Sequence, residues 1–126
     1  MNILIALSFL VVGLFVGSFL NVVILRWGTD KSIITGRSVC AHTGKVLPWY
    51  DLVPVVSFVV LRGKSRYSKE PLSMQYPVVE IITGVLFTLT YWKLFAQEIA
   101  LSVDIFSIIL VLLYLIILSI LVVIAF

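Results

Sequence analysis

The chain has one cysteine, Cys40, and one histidine, His42. A lone cysteine excludes an intramolecular disulfide and leaves the redox compartment unread. With one histidine in a polar segment, no Ser/His/Asp set can be assembled. Charge is equally scarce. Only 12% of the residues are charged and 62% are hydrophobic, with a mean hydropathy of +1.22. Soluble domains are about 45–50% apolar, so this chain cannot cover a water-facing surface, and an integral membrane protein is the fitting class. The aspartates are Asp30, Asp51 and Asp104. Aspartic chemistry needs two carboxylates sharing one site. Asp30 and Asp51 lie in one polar segment and Asp104 is expected across the membrane, so no catalytic pair is present. Glycine patterns that cradle phosphates, internal repeats and low-complexity linkers are also missing.

Three apolar runs are long enough to cross a bilayer, which takes about 20 residues: Ile3–Leu25, Pro77–Phe95 and Ile105–Phe126. The first lacks a basic leader and exceeds the h-region of a signal peptide, so it reads as a retained helix. The expected fold is an α-helical polytopic membrane protein with three transmembrane helices. A compact cytoplasmic loop lobe containing short β or irregular structure completes it. The corresponding segments are 1–26 (first helix), 27–76 (basic loop), 77–95 (second helix), 96–104 (external link) and 105–126 (third helix). The apolar ending at Phe126 reads as a cut at or inside a helix, the mark of a fragment.

Eight of the nine cations lie between Arg26 and Tyr76, the exception being Lys93. By the positive-inside rule this loop is cytoplasmic and the N-terminus lies outside. Anionic lipid and topology account for the basic loop, and nucleic acid is not expected as a partner. Within it, Leu52–Leu61 is rich in β-branched and aromatic residues and bounded by Pro54 and Gly63, which reads as a strand or buried turn–strand element. Trp49–Asp51 and Tyr76–Pro77 supply amphipathic rings suited to the membrane interface. Pro77 suits the first residue of the second helix, where a missing N–H costs nothing.

Gly13 and Gly17 stand at G-x-x-x-G spacing, followed by Ser18, and form a small face that lets another helix approach. Asn21 is one turn further on the same face and is expected to hydrogen-bond across helices. Glu80, four residues into the second run, is a functional-site candidate by its depth, but pairing with Arg26, Arg37 or Arg62 is expected ahead of direct chemistry, because intramembrane charges are usually paired. Cys40 and His42 supply two candidate metal ligands where structural zinc takes four. Ser65 and Ser68 have the spacing of a second pair, but neutral hydroxyls do not hold zinc. No metal and no cofactor are expected.

Three stretches, "GLFVGSFLNVVILR" (13–26), "GRSVCAHTGKVLPWYDLVPVVSFVVLRGKSRYS" (36–68) and "QYPVVEIITG" (75–84), together resemble the N-terminal half of type IV prepilin leader peptidases. These are polytopic membrane aspartic proteases. The loop of that family usually carries two Cys-x-x-Cys pairs, whose positions correspond to Cys40, Thr43, Ser65 and Ser68. The resemblance thus implies a degenerate zinc knuckle, and it puts metal binding and the N-methyltransferase activity tied to that loop in doubt. It also implies that both catalytic aspartates lie further along a parent chain, so none is assigned here. Gly13, Gly17, Ser18 and Asn21 would then pack against later helices or a substrate helix, while Arg26, Arg37, Arg62 and Glu80 would seat the loop. The expected partners are membrane lipid and a prepilin-like substrate helix, with a homo-oligomer left open. The alternative is a stand-alone, non-enzymatic membrane module that binds a partner helix or anionic lipid.

Overall fold

The structure, a computed structural model, describes residues 3–40, 42–95 and 105–125. The expected external link 96–104, with Asp104, lies outside them. Four helices are described: α1 (Ile3–Arg26), α2 (Val56–Val60), α3 (Gln75–Phe95) and α4 (Ile105–Ala125). A short 3-10 helix spans Trp49–Leu52. Among the described residues there is no strand, only isolated bridges Val39–Val46 and Lys64–Pro71.

The organising unit is an antiparallel hairpin of α1 and α3. Gly13 lies against Gly84, Gly17 against Glu80, and the Asn21 amide donates to the Tyr76 carbonyl at 3.1 Å. Each step of four residues along α1 is matched by four in the opposite direction along α3. The spacing therefore did mark a packing face. A methyl group on Gly17 would sit 2.7 Å from the Glu80 Cα, and one on Gly13 would sit 2.7 Å from the Gly84 Cα. Only glycine permits that approach, and close packing is what holds helices together where lipid removes the hydrophobic drive. Hydroxyls within the helices turn back to their own backbone, as Thr83 does to the Val79 carbonyl at 2.8 Å and Thr90 to that of Leu86 at 2.8 Å. Leu20 of α1, Val79 of α3 and Val122 of α4 form a small buried cluster that brings the third long helix to the hairpin.

Only α1 among the described residues is long and apolar enough to cross a membrane by length and composition. For the other two expected spans, Pro77–Phe95 and Ile105–Phe126, the test is not met among the described residues. The polar side chains of α3, Glu80, Lys93 and its threonines, dilute its apolar character. Helix α3 also begins two residues earlier than expected, at Gln75, leaving Pro77 as its third residue. Proline fits there too, because the first four N–H groups of a helix have no partner within it.

The strand expected over Leu52–Leu61 is a helical turn. The chain runs from the 3-10 helix through Pro54 into α2. The run of β-branched residues favours strands locally, but among the described residues no neighbouring strand is present to pair with it, and tertiary contacts decide.

The loop also holds a repeat that was not expected. Cys40 N–H donates to the Lys45 carbonyl, Gly44 N–H to that of Cys40, and Leu47 N–H to that of Ser38. Twenty-five residues on, Ser65 N–H donates to Glu70, Lys69 N–H to Ser65, and Leu72 N–H to Gly63. The two turns share one hydrogen-bond plan. Gly44 (φ 66°) and Lys69 (φ 59°) occupy the same left-handed position.

Candidate functional site

A cavity of about 750 Å³ lies between the C-terminal half of α1, the start of α3 and the loop. Ser18, Asn21 and Glu80 line its helical side; Phe58, Leu61 and Arg66 are among the loop residues that line the other.

Glu80 is 7% exposed. Its Oε2 accepts the backbone N–H of Val55 at 2.7 Å, and Gly17 packs against its Cα. The expected ion pair with Arg26, Arg37 or Arg62 is not what the carboxylate makes. Arg37 and Arg62 are exposed. Arg26 instead donates to the carbonyls of Ser32 and Thr35, pinning the first part of the loop to the end of α1. A backbone N–H satisfies the buried acceptor without the cost of desolvating a guanidinium. Val55 itself is held at φ 60°, ψ −46°. A β-branched residue avoids that region at a cost of roughly 1–3 kcal/mol. The carboxylate thus grips the loop at a strained residue.

Asn21, 3% exposed, has its amide nitrogen on the Tyr76 carbonyl, while its Oδ1 is buried without a partner. Asp51 pairs with a cation fifteen residues along the loop. Its two oxygens accept from Arg66 Nε and Nη2, both at 2.7 Å. The guanidinium lies 5.0 Å from the Tyr50 ring centre. The Asp51 side chain is 4% exposed and that of Arg66 36%. The Asp51 carboxylate hydrogen-bonded to Arg66 raises the guanidinium pKa above its ordinary value. Nothing in the sequence tied these two residues, fifteen apart, to one another.

The four knuckle positions do converge. Cys40, 5% exposed, has its sulfur 3.3 Å from Ser65 Oγ and donates toward Ser68 Oγ at 3.8 Å. Thr43 also hydrogen-bonds it. The hydrogen bond to Ser65, followed by those to Thr43, lowers the thiol pKa from 9.0 to about 6. Desolvation by burial opposes the shift only in part. As a zinc site the cluster does not fit. Three of its four side chains are neutral hydroxyls, His42 is exposed, and no group of three or more His, Cys, Asp or Glu gathers among the described residues. Structural zinc takes thiolate, imidazole or carboxylate ligands, four in all. Hydrogen bonds between the twin turns occupy the place of a metal.

The comparisons with known proteins point to one family. The model of the bacterial peptidase A24 N-terminal domain matches residues 11–94, the hairpin and the whole loop lobe. The chain is 49% identical over 84 residues to a prepilin leader peptidase/N-methyltransferase of Myxococcus xanthus, covering 67% of this chain and 25% of the relative. Its identity to the protein of the same description in Vibrio cholerae is 36% over 92 residues, covering 67% and 36%. For the Xanthomonas campestris protein it is 38% over 104 residues, covering 64% and 36%. The chain therefore spans about a quarter to a third of the length of these relatives. No solved structure matches. The chain is a membrane protein that belongs to the bacterial A24 peptidases, the prepilin leader peptidase family, through their N-terminal domain.

Proposed function

We propose that this chain is the N-terminal portion of a membrane aspartic endopeptidase that removes the leader of type IV prepilin-like proteins at the cytoplasmic membrane face. The observation that carries the reading is the coincidence of the family match, residues 11–94, with one structural unit, the glycine-packed hairpin and the lobe clamped to it by Glu80. In this reading the unit is a scaffold. It holds a cavity beside the hairpin, into which a prepilin segment can enter, and presents it to catalytic aspartates outside these 126 residues. Asp30 and Asp51 do not form the required pair, since Asp51 is committed to Arg66.

The orientation proposed is multi-pass, with the N-terminus outside and the loop in the cytoplasm. Eight cations between Arg26 and Tyr76 support it. With the buried Cys40 replaced by Ser and the exposed Lys64 by Cys, membrane-impermeant thiol reagents should label the chain only after lysis; labelling from outside overturns the orientation. For activity, the purified chain is mixed with a prepilin in detergent. No leader cleavage is expected, because the carboxylate pair is absent. Specific cleavage by the chain alone would overturn the assignment of catalysis to residues outside it.

A further inference from the structure

Helix α2 presents three valines on one face. Val56, Val59 and Val60, at i, i+3 and i+4 spacing, are 56%, 66% and 69% exposed. The opposite face, Ser57, Phe58 and Leu61, lines the cavity. The question is what covers the valines, and the depth of α2 answers it.

Helix α1 has 24 residues, so it is about 36 Å long at 1.5 Å per residue. The hydrocarbon core of a bilayer is about 30 Å thick, which leaves about 6 Å of α1 outside it. Ser18 lies eight residues before Arg26, hence roughly 12 Å in from that end. Even with all the excess at the Arg26 end, Ser18 is within hydrocarbon. Gly17, one residue deeper, packs against the Glu80 Cα and Val55 bonds the Glu80 carboxylate, so the start of α2 is held at that level. Glu80 itself lies five residues into α3, roughly 8 Å from Gln75. Helix α2 has five residues and is about 7.5 Å long. Even pointing straight outward, it would start about 6 Å below the hydrocarbon boundary and pass it only by about 1.5 Å at its end.

The segment is equipped for that depth. Leu52–Leu61 contains no charged residue and is followed by Arg62, Lys64 and Arg66. Hydrocarbon tolerates backbone only when its polar groups are satisfied internally. Val55 N–H is taken by Glu80. Those of Val56, Ser57, Val59, Leu61, Arg62 and Gly63 go to carbonyls between Val53 and Val59. Pro54 has no N–H to satisfy.

We infer that α2 is a membrane-dipping element, with Val56, Val59 and Val60 in contact with lipid acyl chains of the cytoplasmic leaflet. The lobe is then held to the bilayer by α2, with its basic residues outside the hydrocarbon. This goes beyond the peptidase reading and does not depend on it. Glu80 is the tether that holds α2 down, and the cavity lies on its inner face, so the lipid-facing helix also forms a wall of the cavity.

The test uses the full chain carrying Cys40→Ser, with single substitutions Val56→Cys, Val59→Cys, Val60→Cys and Lys64→Cys. Each is spin-labelled in vesicles of phosphatidylethanolamine and phosphatidylglycerol. Collision rates with oxygen, which concentrates in hydrocarbon, are compared with those of a water-soluble nickel chelate. The three valine positions should favour oxygen severalfold, and Lys64 should favour nickel. Nickel access at the valines overturns the inference, because the face is then in water. Low access to both reagents also overturns it, because another protein surface then covers the face. If one labelled valine variant fails to melt like its parent, the other two carry the comparison.

Discussion

Glu80 Oε2 and the backbone N–H of Val55 are 2.7 Å apart, and this bond fastens a loop of some fifty residues to the helical hairpin. The donor carries no side-chain chemistry of its own. Glu80→Ala removes the acceptor and leaves the strained Val55 turn without its clamp. A hydrogen bond to a charged group contributes roughly 1.5–3 kcal/mol, so Glu80→Ala should lower loop stability by about that much. Glu80→Gln keeps a carbonyl acceptor and should cost less, while the exposed Lys69→Gln should change little. Protease susceptibility of residues 27–74 in membranes orders the three. Equal resistance of Glu80→Ala and wild type would show that the carboxylate is no anchor.

Gly17 sets how close α1 comes to α3. A Cβ there would meet the Glu80 Cα at 2.7 Å and the Val79 carbonyl oxygen at 3.1 Å. Both are backbone atoms and cannot swing aside. Gly17→Ala should therefore part the helices and cost about 1–3 kcal/mol, the usual range for overpacking. It should also weaken the Glu80 clamp, since Glu80 is the residue displaced. Thermal unfolding in detergent reads the first effect and loop proteolysis the second. Melting unchanged in Gly17→Ala would contradict the register Gly13–Gly84, Gly17–Glu80.

These two contacts differ in how legible they were. Gly13, Gly17 and Asn21 announce a packing face because spacing along a helix maps directly onto a side of it. The Glu80–Val55 bond is invisible to sequence, because any non-proline residue offers a backbone N–H. Charge alone suggested an arginine partner, and the structure uses the arginines elsewhere: Arg26 on loop carbonyls, Arg66 on Asp51. The twin turns were hidden for a related reason. They repeat a hydrogen-bond plan, while the residues that fill it differ, Cys40 against Ser65 and Gly44 against Lys69. Val55 to Val60 reads as strand by composition, and only the tether to α3 and the lack of a pairing strand make it a helical turn.

Cys40 should behave as an acidic thiol. Its pKa is lowered to about 6 chiefly by the Ser65 hydrogen bond, against an ordinary 9.0 in the unfolded chain. A group depressed on folding adds stability above its unfolded pKa, and loses it as pH falls through the folded value. The loop should thus lose protease resistance as pH falls from 9 toward 6, and Cys40→Ser should flatten this part of the profile. Thiolate absorbance in the folded protein should show a midpoint near 6. A midpoint near 9 would show that the Ser65 and Thr43 hydroxyls do not hold a thiolate.

The twin turns make the loss of zinc a matter of ligands rather than of backbone. Wild-type protein should retain no zinc after dialysis. Thr43→Cys, Ser65→Cys and Ser68→Cys together complete a four-thiolate set with Cys40, and this triple variant should hold one zinc per chain. Metal analysis and cobalt substitution spectra measure it. Stoichiometric zinc in the wild type would contradict the hydrogen-bonded cluster, and a folded triple variant without zinc would contradict the convergence of the four positions.

The most direct measurement is a domain exchange. Residues 11–94 of this chain replace the matching stretch of the Myxococcus xanthus prepilin leader peptidase/N-methyltransferase, 49% identical to it, in cells lacking prepilin peptidase. Prepilin processing is then followed by the shift in substrate size. The N-terminal scaffold proposed here should support cleavage in the chimera, and Gly17→Ala or Glu80→Ala within it should reduce that cleavage. A chimera that accumulates in the membrane at the level of the parent enzyme yet leaves prepilin uncut would contradict the proposal.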